Sequence, residues 1–293
     1  MPSPEWHFKR ALIAEEYLKA MYSGVILSTT VMAPPKTGLS HFFIHDLMPC
    51  ATQQGYIVAY VNLANPLVPA AAAMLMALDR LATSSNQASS SFGFLKGMFL
   101  SDKKKAPKGV DYYHSTLPGD EEYFQDDIAP LLALIDKKVN KALPKGPLLL
   151  IFDGAHALGR DAHALQFSEH LRDLLLAHRD QVFPLYGTCD LEAWRQTFQN
   201  KAAPLYSEGA SVHTLPLLDD AFLQAVLDHH GLQISLDEAR QAFAQLGGCP
   251  GIFANLVADW SSTHATGLLE YTARYSALQK PPTLLTAGAP CCS

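Results

Sequence analysis

Apolar residues follow two different spacings along the first two thirds of the chain. Short β-rich runs at 24–32 and 56–63 enclose a loop containing Pro and Gly and a helical stretch at 40–54. A third run, 147–153, is continuously apolar and ends in an aspartate, which is typical of a central parallel strand covered on both faces. The order strand, glycine loop, helix, strand predicts an α/β fold with a parallel sheet sandwiched by helices.

Helical and strand-like spacing predicts the remaining elements of this region. The predicted helices lie at 8–22, 67–83, 121–139, 161–180 and 191–198, and further strands at 181–187 and 212–217. The helix at 161–180 is amphipathic. Its predicted inward side chains are Leu165, Phe167, Leu171, Leu174, Leu175 and Leu176.

The pattern changes to purely helical spacing after the last strand. Three helical segments follow, and Ser235 with Glu238 three positions later forms a capping box at the start of the second. The chain is therefore expected to comprise an α/β core, a small helical lid and a disordered tail, at 1–217, 218–275 and 276–293. Within the core, residues 84–118 break the periodicity and are interpreted as an irregular insertion or loop.

Composition narrows the classes of function. The 293 residues suffice for about two domains. The net charge of −6 excludes a globally basic protein, so nucleic acid is not an expected partner. No apolar run approaches the ~20 residues of a membrane span, and the start does not have the pattern of a signal peptide. The five cysteines form no metal or redox spacing, so a cytoplasmic location is expected.

The loop after the first strand carries the candidate chemistry. Its sequence APPKTGLS, at 33–40, aligns with the phosphate-binding pattern G-x-x-x-x-G-K-[ST] at Gly38 and Ser40. Ala33 replaces the first glycine and Leu39 replaces the lysine. A strand ending in Asp153, a strand end near Thr188, and the segment GGCPG at 247–251 follow in the order that a nucleotide-binding core and lid require.

On these residues the chain resembles the bacterial AAA+/STAND-like P-loop ATPases. The likeness covers about 8–260, without 84–118, and is carried by APPKTGLSHFFIHDL, LLLIFDGAHAL and FAQLGGCPGIFANLV. The resemblance implies a P-loop NTPase-like sheet with a helical lid. It also implies a set of nucleotide positions, with a sensor at Thr188 and Mg²⁺ held by Ser40 and Asp153. The nucleotide positions are Lys36, Thr37, Gly38, Leu39, Ser40 and Pro250.

Three positions depart from the family pattern. Leu39 stands where the family has a phosphate-binding lysine, Gly154 where it has the acid that orients water, and Gly251 where it often has an arginine. Each missing group would stabilise charge on the phosphates. We therefore assign no catalytic residue. We expect a pseudo-ATPase that acts through a protein partner or an oligomer, with the apolar patch at 92–100 as a candidate partner surface.

Two alternatives remain open from the sequence. The first is a nucleotide switch that binds ATP and Mg²⁺ through backbone amides, Ser40 and Asp153, with Lys36 in place of the missing lysine, and hydrolyses weakly or not at all. The second is an accessory protein of DNA-associated ATPases. Binding of ATP separates the first alternative from a pseudo-ATPase, and salt-dependent binding to DNA would favour the second.

Overall fold

A parallel five-stranded sheet forms the centre of the larger unit. The computed structural model describes residues 7–23, 28–84, 128–263 and 267–279. The strand order is β2-β3-β4-β1-β5, and all neighbours are parallel. The strands are β1 (Thr29–Met32), β2 (Ile57–Asn62), β3 (Leu148–Asp153), β4 (Val182–Thr188) and β5 (Ser211–Thr214).

Helices connect the strands, as parallel pairing requires. The helix after β1 is interrupted by a π-helical turn, Phe43–Leu47, and the helix after β4 continues as a second one, Arg195–Gln199. The helices of this unit are α1 (Ala11–Tyr22), α2 (Leu39–Phe42), α3 (Met48–Gln53), α4 (Ala70–Ser84), α5 (Ala129–Ala142), α6 (Ala162–Ala177) and α7 (Leu191–Trp194). This architecture confirms the predicted P-loop NTPase-like α/β fold.

The central strand β3 divides the core into two layers. All six of its residues are buried. Leu148, Leu150 and Phe152 join the cluster that includes α4, α5 and α6, whereas Leu149 and Ile151 join the cluster that includes α1, α2 and α3. Successive side chains of a strand point to opposite faces, so continuous hydrophobicity is what a sheet covered on both faces requires. Each such side chain contributes about 1.5–3 kcal/mol.

The C-terminal unit is a separate helical cluster. The described residues at 7–8, 34–38, 216–263 and 267–279 group together, apart from those at 9–33 and 39–215. Its helices are α8 (Asp220–His229), α9 (Leu236–Gln245), α10 (Pro250–Thr263) and α11 (Leu268–Gln279). Phe222, Phe253 and Leu256 are buried at its centre, and the ring of Phe8 packs edge-on against Phe222 at 5.7 Å.

Side-chain oxygens cap the starts of α6, α7, α8 and α9, and Asp190 provides the cap of α7. Ser235 Oγ accepts from the backbone N–H of Glu238 at 3.2 Å, as the predicted cap requires. Asp161 caps α6 and Asp219 caps α8 in the same way. The Ala164 N–H bonded to Asp161 is the main cause of the lowered pKa of that carboxyl.

Three sequence predictions need correction or lie outside the described residues. Leu165 and Leu176 are 41% and 61% exposed, because the inward face of α6 runs through Ala164, Ser168 and the other predicted positions. A fourth helix, α11, extends to Gln279, past the boundary expected at 275, and buries Leu268 and Thr272. The predicted insertion at 84–118 and its apolar patch fall, beyond Ser84, outside the described residues.

None of the helices in the described ranges combines the length and the apolar character that spanning a membrane requires.

A buried ion pair connects the start of α1 to the π-helical turn that follows α2. Arg10 Nε lies 3.8 Å from Asp46 Oδ2, and the backbone N–H of Arg10 donates to Asp46 Oδ1 at 2.8 Å. Both side chains are almost fully buried, and the guanidinium stacks over Phe42 at 5.1 Å. Burial lowers the pKa of Arg10, and the opposing charge of Asp46 is the largest influence that raises it.

Neutralising one partner of this pair should strongly destabilise the protein. We expect Asp46→Asn to lower the free energy of unfolding by about 3 kcal/mol, because it removes a buried negative charge next to the buried charge of Arg10. The control is Asp173→Asn, which removes the exposed partner of Arg172 and should cost at most about 1 kcal/mol. Urea denaturation measures both. Equal losses in the two variants would contradict the assignment.

Candidate nucleotide-binding edge of the sheet

Asp153 and Thr188, two of the predicted site residues, lie at the carboxyl edge of three adjacent strands. Met32 at the end of β1 pairs with Thr188 at the end of β4, and Gly187 pairs with Asp153 at the end of β3. The N–H of Ala33, where the loop begins, donates to the Thr188 carbonyl at 3.1 Å. Ligands of parallel α/β sheets bind at this edge. The fold therefore brings Asp153, Thr188 and the start of the loop together.

The loop at 34–38 makes a tight turn. Lys36 and Gly38 both have left-handed backbone conformations, with φ of 65° and 87°. Such a conformation is uncommon for a residue with a side chain. The hydroxyl of Thr37 donates to the Pro34 carbonyl at 2.7 Å, within the loop itself. The Lys36 side chain is exposed.

Leu39, at the position of the family's lysine, lies against the sheet. It is half-buried and belongs to the core cluster that includes Val31, Phe42 and Phe43. A Cβ placed on Gly187 would lie 2.3 Å from the Phe43 ring and 3.5 Å from Leu39 Cδ2. The Leu39 side chain therefore packs over the end of β4 and has no hydrogen-bond donor for a phosphate. The next residue, Ser40, is exposed.

Asp153 is a buried carboxylate with one strong partner. Its Oδ2 accepts a hydrogen bond from the Tyr60 hydroxyl at 2.5 Å, and the residue is 6% exposed. Tyr60 lies on β2, the neighbouring strand. Oδ1 has no hydrogen-bond partner among the residues that the structure describes. Carboxylate oxygen and a serine hydroxyl are suitable ligands for Mg²⁺, so the oxygen of Asp153 that Tyr60 leaves available fits the predicted metal role.

Gly154, at the position of the family's water-orienting acid, is confined by its backbone. Its φ is +83°. A Cβ at this position would lie 3.1 Å from the Ala64 nitrogen and 3.2 Å from the Leu63 carbonyl carbon. Both contacts are with backbone, which cannot rotate away. A glutamate side chain therefore cannot enter here without moving the turn that follows β2.

The hydroxyl of Thr188 is hydrogen-bonded to backbone just after β4. It is 1% exposed, and its hydroxyl accepts a hydrogen bond from the Asp190 N–H at 3.1 Å. The same oxygen lies 3.3 Å from Nδ1 of His156. The Thr188 hydroxyl is therefore bonded to backbone at the end of β4.

The remaining predicted positions lie on the C-terminal unit. Pro250 is the first residue of α10, where its missing N–H is not required. Gly251 follows it, and a Cβ built there meets nothing within 4 Å. An arginine would fit at Gly251 sterically, so its absence removes a charge without being forced by packing.

Three contacts at this edge were not predicted from the sequence. Tyr60 was part of a predicted strand, but its bond to Asp153 joins residues 93 positions apart. The approach of Phe43 to Gly187 also depends on tertiary packing. The sequence contained a weak indication for His156, because this residue follows the strand that ends in Asp153.

The described residues contain no group of three or more His, Cys, Asp or Glu side chains placed to hold a metal ion.

Comparison with known proteins shows the fold. No protein family and no curated protein matches the sequence. The Walker-type ATPase PABY2304 of Pyrococcus abyssi aligns with a TM-score of 0.57 at 12% identity, over 92% of this chain and 71% of its own. The Aeropyrum pernix ORC1 protein, solved in complex with DNA, aligns with a TM-score of 0.54 at 11% identity, over 95% and 68%. The chain thus has the fold of AAA+ and other P-loop ATPases.

The confinement of Gly154 can be measured against a second glycine. Gly55 has a similar φ of +89° but open space around its missing Cβ. We expect Gly55→Ala to lower stability by about 1–2 kcal/mol through backbone strain alone. Gly154→Ala should cost at least about 1 kcal/mol more, because it adds crowding. Denaturant unfolding measures the loss of stability in both variants. Equal losses would show that the turn after β2 moves to accommodate the added Cβ without cost.

Proposed function

We propose that this protein is a pseudo-ATPase: it keeps the P-loop ATPase fold but acts through protein interaction or regulation and does not hydrolyse ATP. The observation that carries the proposal is the packing of Leu39 at the lysine position. A lysine there would donate a charged hydrogen bond to phosphate, worth about 1.5–3 kcal/mol. Its loss weakens nucleotide binding by about ten- to a hundredfold.

A second departure supports the absence of hydrolysis. The position that carries a water-orienting acid in the resembled family is Gly154, where a side chain would crowd backbone atoms of Leu63 and Ala64. General-base or water-positioning groups contribute about 10²–10⁴-fold to a reaction rate. A protein that lacks both this group and the lysine retains no strong means of stabilising the developing charge.

A nucleotide switch is the second candidate. Its support is the exposed Ser40 at the start of α2 together with the oxygen of Asp153 that Tyr60 does not engage. In this case Mg²⁺ would be held by Ser40 and Asp153, and loop amides would contact the phosphates. Lys36, whose side chain is exposed, would supply the cation.

Binding of ATP with Mg²⁺ separates the two candidates. By isothermal titration we expect no detectable binding to the natural sequence, and measurable binding to Leu39→Lys, in which the missing cation is returned. The matched control is Leu12→Lys, which adds the same charge at a residue that is 76% exposed on α1. Gain of binding in both variants would mean that net charge alone is responsible.

The proposal fails if the natural sequence binds ATP at micromolar concentration and loses that binding in Ser40→Ala and Lys36→Ala. That result would establish the switch. Phosphate release above background, abolished by Asp153→Asn, would establish an active ATPase. Gly154→Glu, which places an acidic side chain at this position, is a poor test. The substitution disturbs the backbone of the turn after β2 whatever the function of the protein.

DNA remains a possible partner under this proposal. The expectation that nucleic acid is not bound rests on the net charge of −6. It is not supported by the comparisons, because one structural neighbour is an ORC1 protein solved with DNA. Fluorescence anisotropy with a labelled duplex at two salt concentrations tests this directly. Binding that weakens steeply with salt would support a DNA-associated role, since released counterions dominate such complexes.

A further inference from the structure

A second concave site lies in the larger unit, separate from the loop at 33–40. It is a cavity of about 690 Å³ beyond the carboxyl ends of β2, β3 and β4. Its walls are the turn after β2, the turn at 156–160 after β3, the start of α6, the π-helical turn after α7 and the segment at 200–205. The volume is within the range of small-molecule sites, and parallel sheets bind ligands at this edge.

The lining of the cavity includes one strongly basic side chain. Among the lining residues Arg160 is the only Arg or Lys, and none is Asp or Glu. Its Nε donates to Asp161 Oδ2 at 3.1 Å, and the terminal nitrogens have no other partner within the described part of the chain. Asn200 accepts from the Ala202 N–H through its oxygen, which leaves its amide hydrogens available.

Asp161 only partly neutralises this charge. Its other oxygen, Oδ1, accepts the Ala164 N–H at 2.9 Å as the cap of α6. The carboxylate is therefore held at the helix start, and it does not line the cavity. The guanidinium of Arg160 can engage Asp161 through Nε and still present its two terminal nitrogens to a ligand, because these donors point in different directions of one rigid plane.

The rest of the lining is largely apolar. Leu165, Pro66, Pro204 and Leu205 contribute to it. Leu165 is the residue on α6 that sequence analysis placed in the core but that is 41% exposed. On the cavity wall, the exposed side chain of Leu165 provides an apolar surface that a ligand can cover.

From these features we infer that the cavity binds a small organic anion, with the anionic group on the terminal nitrogens of Arg160 and an apolar body against Leu165 and the two prolines. The site needs neither the loop at 33–40 nor Asp153. It is therefore independent of whether nucleotide binds.

A pair of dyes tests both halves of this assignment. Anilinonaphthalene sulfonate has an anionic group on an aromatic body, and phenylnaphthylamine has the same kind of body without the charge. Fluorescence titration of the full chain should show saturable binding of both dyes, with the sulfonate tighter. In Arg160→Gln the Kd of the sulfonate should rise about tenfold or more, because a charged hydrogen bond is lost, whereas that of the neutral dye should not change.

Two further variants complete the experiment. Arg172→Gln removes an exposed arginine of α6 that is paired with Asp173 and does not line the cavity, so it should leave both dyes unaffected. Ala202→Trp places a large ring at an exposed position of the wall and should abolish binding of both dyes without lowering the unfolding temperature. The inference is overturned by equal effects of the two arginine variants, by unchanged binding in Ala202→Trp, or by no saturable binding at all.

Discussion

The close approach of Phe43 to Gly187 determines how the helical segment after the loop meets the sheet. Any side chain at Gly187 would collide with the Phe43 ring, since a Cβ would lie only 2.3 Å away. The ring can sit over the end of β4 only because this strand has a glycine there. The π-helical turn contributes to this contact, since Phe43 is its first residue. Leu39, one turn earlier, follows the same direction and joins the core cluster.

Leu39 and Gly154, two positions that depart from the resembled family pattern, differ in their surroundings. At Leu39 the backbone is the ordinary start of a helix, and a lysine could lay its aliphatic stem where the leucine now packs. At Gly154 the left-handed conformation is strained for a residue with a side chain, and a Cβ requires the nearby backbone to shift by a few tenths of an ångström. A lysine at position 39 therefore fits the present backbone, whereas a larger residue at position 154 requires the turn after β2 to move.

The fold was predictable from the sequence, but the contacts of the site were not. The run at 147–153 identifies β3, because only a strand covered on both faces is apolar throughout. The register that places Tyr60 beside Asp153 arises from pairing of β2 with β3, and no local pattern encodes it. The phase of α6 was misjudged at Leu165 and Leu176, since each lies one residue, about 100°, beyond a buried neighbour. Leu165, one of these two residues, lines the cavity.

His156 connects the cavity to the carboxyl edge of the sheet. It lines the cavity, and its Nδ1 lies 3.3 Å from the hydroxyl of Thr188 at the end of β4. Thr188 is buried and already accepts the Asp190 N–H, so it has little freedom to respond to a ligand. A ligand in the cavity can influence the edge through this contact only if its own contacts differ between two arrangements of the imidazole. A second described link is made by backbone, because Leu63, which also lines the cavity, donates its N–H to the Asp153 carbonyl at 2.8 Å. Since that bond continues the pairing of β2 with β3 and has little freedom to change, any coupling between the cavity and the edge should be weak, and each can be assayed alone.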